Sequence, residues 1–413
     1  MRTSITTTLR HSFALLLTRR FGTFWFANLL SNIGTWAQQV AQPWLLLSLG
    51  ASSFLLGVDA FAMGAPVLLL TLVGGELADR SDRRLVITAF QSLQMLCPTL
   101  IVVLLLTGHV APWMIIAASL IVGITDALSM PSFQSIVPSI VAREQIPTGI
   151  ALNSTQFNLS RILGPAVAGL LMASVGAAGA FAVSAASYLP FILVALWVLP
   201  RGRASTIDEP TSARDLVAGV RTVVRDPLLR GALFTVLATS LFCAPLITFC
   251  PVLVKQLHHG DVGDFSLTIG AFGVGGLLGA IGLLALDPAR DGRAMSSVCA
   301  AIYGSVVVGA ALDPWANALP ALFVVAGIAM TASNATANTL LQSAAAVAIR
   351  GRSVSLFMLA VRGGASLGGL LTGTAVTVFG VRHALFFDGA CAIAIHSLIG
   401  RAWLRTERRP PAA

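Results

Sequence analysis

Long apolar runs separated by short polar connections fill nearly the whole chain. Each run is about twenty residues or longer, which is the length that a helix needs to cross the hydrocarbon core of a bilayer. In lipid, backbone groups must find their hydrogen-bond partners within the chain, so such runs form helices. The pattern therefore predicts an all-α membrane protein with about twelve transmembrane helices. The runs cover residues 24–49, 53–78, 85–107, 111–134, 147–174, 177–199, 229–254, 264–286, 294–312, 316–345, 354–379 and 383–403.

Composition and the placement of charge agree with this prediction. Hydrophobic residues make up 56% of the chain, charged residues make up 10%, and the mean hydropathy is +0.85. A soluble domain carries about 25% charged residues, so lipid must be the solvent for most of this protein. The net charge of +9 comes from arginines that lie between the apolar runs. This placement argues against a nucleic-acid partner, for which the charge would lie on a polar module.

The basic residues are distributed unequally between the two sides of the predicted membrane. If the N-terminus is cytoplasmic, 22 of the 26 basic residues fall on the cytoplasmic side, and only Lys255 and Arg382 fall on the other. Cytoplasmic loops carry an excess of Lys and Arg. We therefore expect a multi-pass protein of a bacterial inner membrane, with an even number of crossings and both termini in the cytoplasm.

The longest polar segment divides the chain into two halves that resemble each other. FNLSRILGPAVAGLL at 157–171 and FMLAVRGGASLGGLL at 357–371 match at an offset of 200 residues. Duplicated bundles with a ligand site between them are a common plan of transporters. The halves are thus predicted to be two pseudo-symmetric six-helix bundles. The predicted domains are an N-terminal cytoplasmic tail (1–20), a first bundle (21–200), a cytoplasmic linker (201–227), a second bundle (228–404) and a C-terminal cytoplasmic tail (405–413).

Several classes of chemistry are excluded by missing residue types. A P-loop for ATP hydrolysis needs a Gly-Lys pair, and the only lysine of the chain, Lys255, follows valine. A literal G-x-S-x-G at 364–368 lies inside an apolar run, where helix packing explains it better than a hydrolase elbow. No metal site and no cofactor are expected, and we do not expect an enzyme. The energy for any transport would come from an ion gradient.

Two stripes of polar residues lie on otherwise apolar helices. In the first run the stripe has spacings of 4, 3, 4 and 3, which place it on one helix face. A second stripe in the tenth run contains Thr331, Asn334, Asn338 and Gln342. Because lipid penalises unpaired amides, both stripes are expected to line a wet substrate cavity, or else to bond neighbouring helices. The first stripe consists of Asn28, Asn32, Thr35, Gln39 and Gln42.

Ionisable residues inside the runs are the second group of candidate functional residues. Each costs about 2.5–3.5 kcal/mol at the centre of a membrane helix on insertion scales, so such residues are usually functional. His396 is a weaker case and is expected to be a core imidazole. The others are Asp59, Asp126, Arg161, Arg362 and Asp388.

Four of these charges suggest how protons could be coupled to transport. Asp126 and Arg161 lie at similar depths of adjacent predicted helices, so they are expected to pair, either as a lock between helices or as a proton-operated switch. Asp59 is a candidate proton or cation site, with a solvated position near the outer mouth as the alternative. Arg362 is the remaining candidate for the charge switch.

A loop after the second run carries a recognisable motif. Residues 74–84, GGELADRSDRR, resemble the signature of the major facilitator superfamily, with Asp82 in place of a glycine. The resemblance implies that Asp79 docks near Arg352 and Ser353 at the start of the eleventh helix and stabilises the outward-open state. SRILGPAVAG at 160–169, with Gly164 and Pro165, resembles the antiporter signature of drug–proton exchangers. The matching signature positions are Gly75, Asp79, Arg80, Arg83 and Arg84.

Over residues 20–404, the chain resembles the enterobactin-exporter and macrolide-efflux branch of that superfamily, also called transmembrane secretion effectors. The resemblance implies a monomer that exports a drug-like molecule or a siderophore by alternating access, through proton antiport. Two alternatives remain open at this point. One is proton-coupled uptake of a small metabolite, and the other is a membrane scaffold or sensor without transport. In each case lipid surrounds the protein.

Overall fold

The polypeptide is almost entirely helical over the parts that the computed structural model describes, which are residues 14–199, 221, 224–284, 292–314, 318–344 and 350–405. The long stretch Ile146–Val198 changes direction at Gly176, and we name its two arms separately. The helices are α1 (Arg19–Ser48), α2 (Ser53–Arg80), α3 (Arg83–Leu106), α4 (Pro112–Ile140), α5 (146–175), α6 (177–198), α7 (Pro227–Phe242), α8 (Val262–Leu284), α9 (Gly292–Leu312), α10 (Leu319–Ala344), α11 (Arg350–Phe379) and α12 (Val381–Leu404). Shorter turns lie at Arg143–Gln145, Pro245–Thr248, Cys250–Val252 and Leu253–Leu257.

Local sequence explains where several helices begin and turn. Asp82 starts α3 and Asp226 starts α7, because each carboxylate accepts a hydrogen bond from a backbone N–H of the first turn. Gly176 and Gly380 have φ angles of 67° and 80°, which only glycine adopts without strain. These glycines therefore allow α5 to reverse into α6 and α11 to reverse into α12 without a long loop.

Ten stretches in the described part of the chain are long and apolar enough to cross a membrane. One of them, Thr148–Val198, contains the break at Gly176. The helix α1 is not among the ten, because its amide side chains lower its hydropathy. The predicted multi-pass helical fold is confirmed, whereas the count of twelve crossings stays a prediction. The predicted domain borders also stay predictions, since most of the linker and both tails lie outside the described residues.

The two halves share one hydrophobic core at one end of the molecule. The start of α1 and the end of α12, which lead to the chain termini, lie at the opposite end. Leu46 of α1 and Phe181 of α6 belong to the same buried cluster as Phe249, Phe265 and Leu385 of the second half. Trp44 also stacks on Phe265, with ring centroids 4.9 Å apart. We call this region the closed end.

Near the termini, each half has a core of its own. Phe24 and Phe191 belong to a cluster built from the first half, and Leu229, Leu341 and Trp403 belong to a cluster built from the second. Among the described residues, no hydrophobic cluster joins the halves at this end. The halves therefore meet tightly at one end and have separate cores at the other, which we call the split end.

Two seams of close backbone contact hold the halves together. In the seam between α2 and α11, a Cβ added to Gly57 would lie 2.6 Å from the carbonyl oxygen of Gly369. The hydroxyl of Ser366 also donates a hydrogen bond to the carbonyl of Phe61 across this seam, over 3.1 Å. In the seam between α5 and α8, a Cβ added to Gly169 would lie 2.6 Å from the carbonyl oxygen of Ser266. Such distances exclude any side chain, so glycine is required for this approach.

Candidate substrate cavity

A cavity of about 220 Å³ lies between the two halves, at the level of the seams. Helices α1, α2 and α5 line it from the first half, and α7, α8, α10 and α11 line it from the second. Its wall is mainly apolar, with a few polar and charged groups, which is typical of small-molecule sites. The aromatic and thioether side chains in the wall are Trp36, Phe157, Phe272, Met63, Met330 and Met358; the amides and charges are Gln39, Gln42, Asp59, Arg161 and Arg362.

The polar stripe of α1 divides into two parts. Gln39 and Gln42 line the cavity. The other three members bond within the first half: the Asn28 amide donates to Gln156, the Asn32 amide donates to Asn28, and the Thr35 hydroxyl donates to Tyr188, each over 3.0 Å. Their predicted contribution to substrate binding stays a prediction.

The stripe of α10 lies beside the cavity rather than on its wall. Asn334 is buried, and its Oδ1 has no hydrogen-bond partner in the described part of the chain. Asn338 is half-buried and has a partner of its own. Met330, one turn before Asn334, supplies the contact of α10 with the cavity.

Asp59 lies at the centre of a compact hydrogen-bond cluster. The Gln42 amide donates to Asp59 Oδ2 over 2.7 Å and to the Ser119 oxygen over 2.7 Å, and the Ser119 hydroxyl donates to Asp59 Oδ1 over 2.6 Å. The cluster joins α1, α2 and α4. Because Asp59 is only 5% exposed, it is not a solvated residue near a mouth. Its partners are neutral, so the carboxyl group can gain or lose a proton without breaking an ion pair.

Asp126 forms an ion pair across the two halves. Its Oδ2 lies 2.9 Å from Nη1 of Arg362 on α11, while its Oδ1 accepts a hydrogen bond of 2.8 Å from the amide of Gln94. The predicted pairing of Asp126 with Arg161 is therefore wrong. The α2–α11 seam brings Arg362 against α4, because Gly64 on α2 leaves room beside the Arg362 backbone.

Arg161 instead extends into the cavity. Its guanidinium carbon lies 5.9 Å from the centroid of the Trp36 ring, and Nη2 lies 3.6 Å from the sulfur of Met330. The Trp36 ring is itself held edge-on by Phe157, with centroids 6.1 Å apart. Arg161 has no carboxylate partner among the residues that the structure describes.

The remaining ionisable residues of the spans lie in the second half, away from the cavity wall. Thr372 donates a hydrogen bond to Asp388 over 2.6 Å. His396 is 1% exposed and lies 3.3 Å from the Thr239 hydroxyl. This position fits the expected core imidazole.

The signature loop is described in part. The side chains of Asp79 and Arg80 lie outside the described residues, as do those of Arg352 and Ser353 and the surroundings of Gly75. The proposed docking of Asp79 therefore stays a prediction. The aspartate that replaces the signature glycine caps α3, since its Oδ1 accepts a hydrogen bond of 2.9 Å from a backbone N–H. The side chains of the two arginines that follow are half-buried: Arg83 and Arg84.

The antiporter-like segment lies directly against the cavity. Gly164 packs on the Cβ of Trp36, where a larger residue would displace the indole, and Pro165 lines the cavity. The backbone stays helical at Pro165, and Gly176 is the position with non-helical angles. The segment thus fixes one wall of the cavity through close packing.

Sequence comparison connects this geometry to known proteins. A family model described as transmembrane secretion effector matches residues 10–408. The multidrug efflux pump Tap of Mycolicibacterium fortuitum is 25% identical over 371 residues, which cover 87% of this chain and 90% of Tap. The staphyloferrin A transporter of Staphylococcus aureus is 23% identical over 377 residues, which cover 90% of this chain and 93% of that transporter.

Solved structures share the fold. The nucleoside transporter NupG superposes with a TM-score of 0.72 at 13% sequence identity, covering 94% of this chain and 100% of NupG. An inward-facing, occupied bacterial homologue of the human lysosomal transporter Spinster superposes with a TM-score of 0.66 at 16% identity, covering 94% of this chain and 98% of that structure. At these identities the similarity establishes the architecture alone.

Proposed function

This chain belongs to the transmembrane secretion effector family, and from that premise we propose that it exports a small drug-like molecule or siderophore by alternating access, in exchange for protons. The predicted resemblance to this family is confirmed. The observation that carries the proposal is the cavity between two halves that are closed at one end, with an ion pair that joins the halves beside it.

The arrangement of cores corresponds to one of the two states that alternating access requires. With the predicted topology, in which both termini are cytoplasmic in a bacterial inner membrane, the split end faces the cytoplasm. The protein would then accept its substrate from inside. To release it outside, the halves must separate at the closed end, which breaks the Trp44–Phe265 stack, and come together at the split end.

We assign the proton-operated switch to the Asp126–Arg362 pair. A proton can drive a conformational change only if its binding site differs between the two states. Asp126 satisfies this condition because its cation belongs to the opposite half. Within the part of the chain that the structure describes, the hydrogen bonds of Asp59 all go to residues of its own half, so its protonation alone would not favour either arrangement. Protonation of Asp126 would release Arg362 and loosen the present state.

The proton gradient supplies enough energy for export without a cofactor. A membrane potential of 100 mV contributes about 2.3 kcal/mol per charge, and one pH unit contributes about 1.4 kcal/mol. One proton therefore provides about 3.7 kcal/mol, which sustains a concentration ratio of a few hundred-fold. This cycle needs one polypeptide, a small-molecule substrate and a lipid bilayer, and it involves no catalysis of a reaction.

The test is accumulation in inside-out membrane vesicles, with a panel of siderophores, macrolides and cationic dyes. We expect at least one compound to accumulate when the vesicle interior is acidified and to leave when a protonophore is added. Asp126→Asn should abolish the dependence on the pH gradient. Asp388→Asn is the matched control, since it removes a buried carboxylate away from the cavity. Pumping by Asp126→Asn that still follows the gradient would refute the coupling assignment, and gradient-driven loss instead of accumulation would indicate uptake.

A further inference from the structure

Arg161 is a cation whose charge is not neutralised by the described part of the chain. Its guanidinium contacts an aromatic ring and a thioether sulfur, and neither carries a formal negative charge. A guanidinium group has five N–H donors, which a ring face and one sulfur atom do not satisfy. Arg161 is half-buried, and none of its nitrogens is among the buried polar atoms without a partner in the described part of the chain. Its remaining donors are therefore accessible from the cavity that it lines.

The other charges around the cavity have partners within the protein. Arg362 is paired with Asp126 over 2.9 Å, and Asp59 accepts hydrogen bonds from Gln42 and Ser119. Among the described residues that line the cavity, Arg161 is the cation without a carboxylate. It thus remains available to an anion that enters from outside the protein.

The side chains around Arg161 indicate what kind of molecule would carry such an anionic group. Trp36 and Phe157 form an edge-to-face pair beside the guanidinium, and Met330 borders it from the other half. Aromatic rings and thioethers favour flat apolar groups, and methionine adapts to different shapes. The volume of about 220 Å³ admits a compact fused-ring group beside the guanidinium.

We propose that the substrates of this cavity are organic carboxylates, whose carboxylate group binds Arg161 while a flat apolar portion packs against Trp36 and Phe157. Arginine suits this task because its planar fork can hold a carboxylate with two parallel hydrogen bonds. The proposal rests on the proposed function, since it takes the cavity as the substrate site. It narrows the range of exported molecules to those with an acidic group.

The direct test is binding to the full-length protein in lipid nanodiscs. The probes are 2-naphthoate and 2-naphthamide, which share their rings and differ in charge, and empty nanodiscs correct for partition into lipid. Wild-type protein should bind the naphthoate about 10- to 100-fold more tightly, because a hydrogen-bonded ion pair forms only with the carboxylate. Equal affinities for the two probes would overturn the proposal.

Variants assign the preference to one residue. Arg161→Gln should reduce the preference to about one and leave the affinity for the naphthamide within a few-fold, whereas Arg161→Lys should retain part of it. Arg382→Gln, which removes an exposed cation outside the cavity, should leave the preference unchanged. Naphthamide binding also reports that each variant is folded. A full preference in Arg161→Gln would contradict the assignment.

This experiment is independent of the vesicle assay. If vesicles accumulate nothing and the naphthoate preference depends on Arg161, the carboxylate site stands and the export proposal fails. If vesicles export only neutral or cationic compounds, and the binding preference is absent, export stands and the carboxylate proposal is wrong.

Discussion

Breaking the Asp126–Arg362 ion pair should shift the protein toward the conformation that opens at the closed end. The pair is present while the halves have separate cores near the termini, so it stabilises this state. Asp126→Asn removes the charge but keeps an oxygen that can accept the hydrogen bond from Gln94. The perturbation therefore acts mainly on the contact between the halves.

The size of the effect follows from the exposure of the pair. The Asp126 and Arg362 side chains are 27% and 25% exposed, and their atoms are 2.9 Å apart. Exposed pairs contribute about 0.2–1 kcal/mol, while breaking a fully buried pair costs about 3–5 kcal/mol. A partly exposed pair lies between these limits, at about 1–3 kcal/mol. Since about 1.4 kcal/mol is a factor of ten, the ratio of the two conformations should change roughly 5- to 150-fold.

The shift can be measured as a distance between spin labels at the split end. Ser139→Cys on α4 and Arg401→Cys on α12 place one label on each half, at exposed positions near the termini. Double electron–electron resonance should show a larger short-distance population in Asp126→Asn. The native cysteines must first be replaced: Cys97, Cys243, Cys250, Cys299 and Cys391.

The controls separate the ion pair from a general loosening of the fold. Arg362→Gln should produce a shift of similar size, and the double variant should shift no further than either single variant, because both remove one interaction. Asp388→Asn should retain the wild-type distances. A wild-type distribution of label distances in Asp126→Asn, or a shift to longer distances, would refute the claim that the ion pair stabilises the present conformation.

Three further predictions concern the closed end and the Asp59 cluster. Trp44→Ala removes the stack on Phe265, which is worth about 0.5–1.5 kcal/mol beyond its buried area. In a background that retains Cys250 as its single cysteine, this substitution should make the buried Cys250 react faster with a polar thiol reagent. An unchanged rate would count against the closed end. Gly57→Val places a Cβ 2.6 Å from the carbonyl oxygen of Gly369 and should likewise speed the labelling of Cys250, and a labelling rate equal to wild type would show that the seam is not required. Ser119→Ala removes a donor to buried Asp59 and should lower the free energy of unfolding by about 1–3 kcal/mol in denaturant titration, whereas equal stability would mean that the cluster is not structural.

Hydrophobic length was sufficient to predict the multi-pass helical fold, while the orientation inferred from charge placement stays a prediction. A run of apolar residues must become a helix in lipid, so most helix bounds follow the runs to within several residues, and the turn between α5 and α6 falls at the predicted break near Gly176. The run 229–254 is the exception, because α7 ends at Phe242 and short turns follow it at Pro245–Thr248 and Cys250–Val252. The first run was predicted as a helix although its amides lower its hydropathy. The length of the run carried that prediction, and the periodic polar spacing placed the amides on one helix face.

The site was only partly accessible from the sequence, because its contacts join positions far apart in the chain. Asp126 and Arg362 are 236 residues apart, and nothing in local spacing favoured this partner over Arg161. The Asp59 cluster needed Ser119, and a single serine in an apolar helix gives no signal. Gln91 and Gln94, which support Asp126, were detectable as two amides three positions apart in an apolar run.

The central claim is that protons and substrate move in opposite directions through one cavity. It is tested most directly in sealed proteoliposomes that contain a pH-sensitive dye, loaded with a compound selected in the vesicle panel and diluted into medium without it. Exchange predicts that the lumen acidifies as the compound leaves, whichever way the protein is inserted, and that Asp126→Asn abolishes this pH change. Efflux with a constant lumenal pH, or with alkalinisation, would contradict the claim.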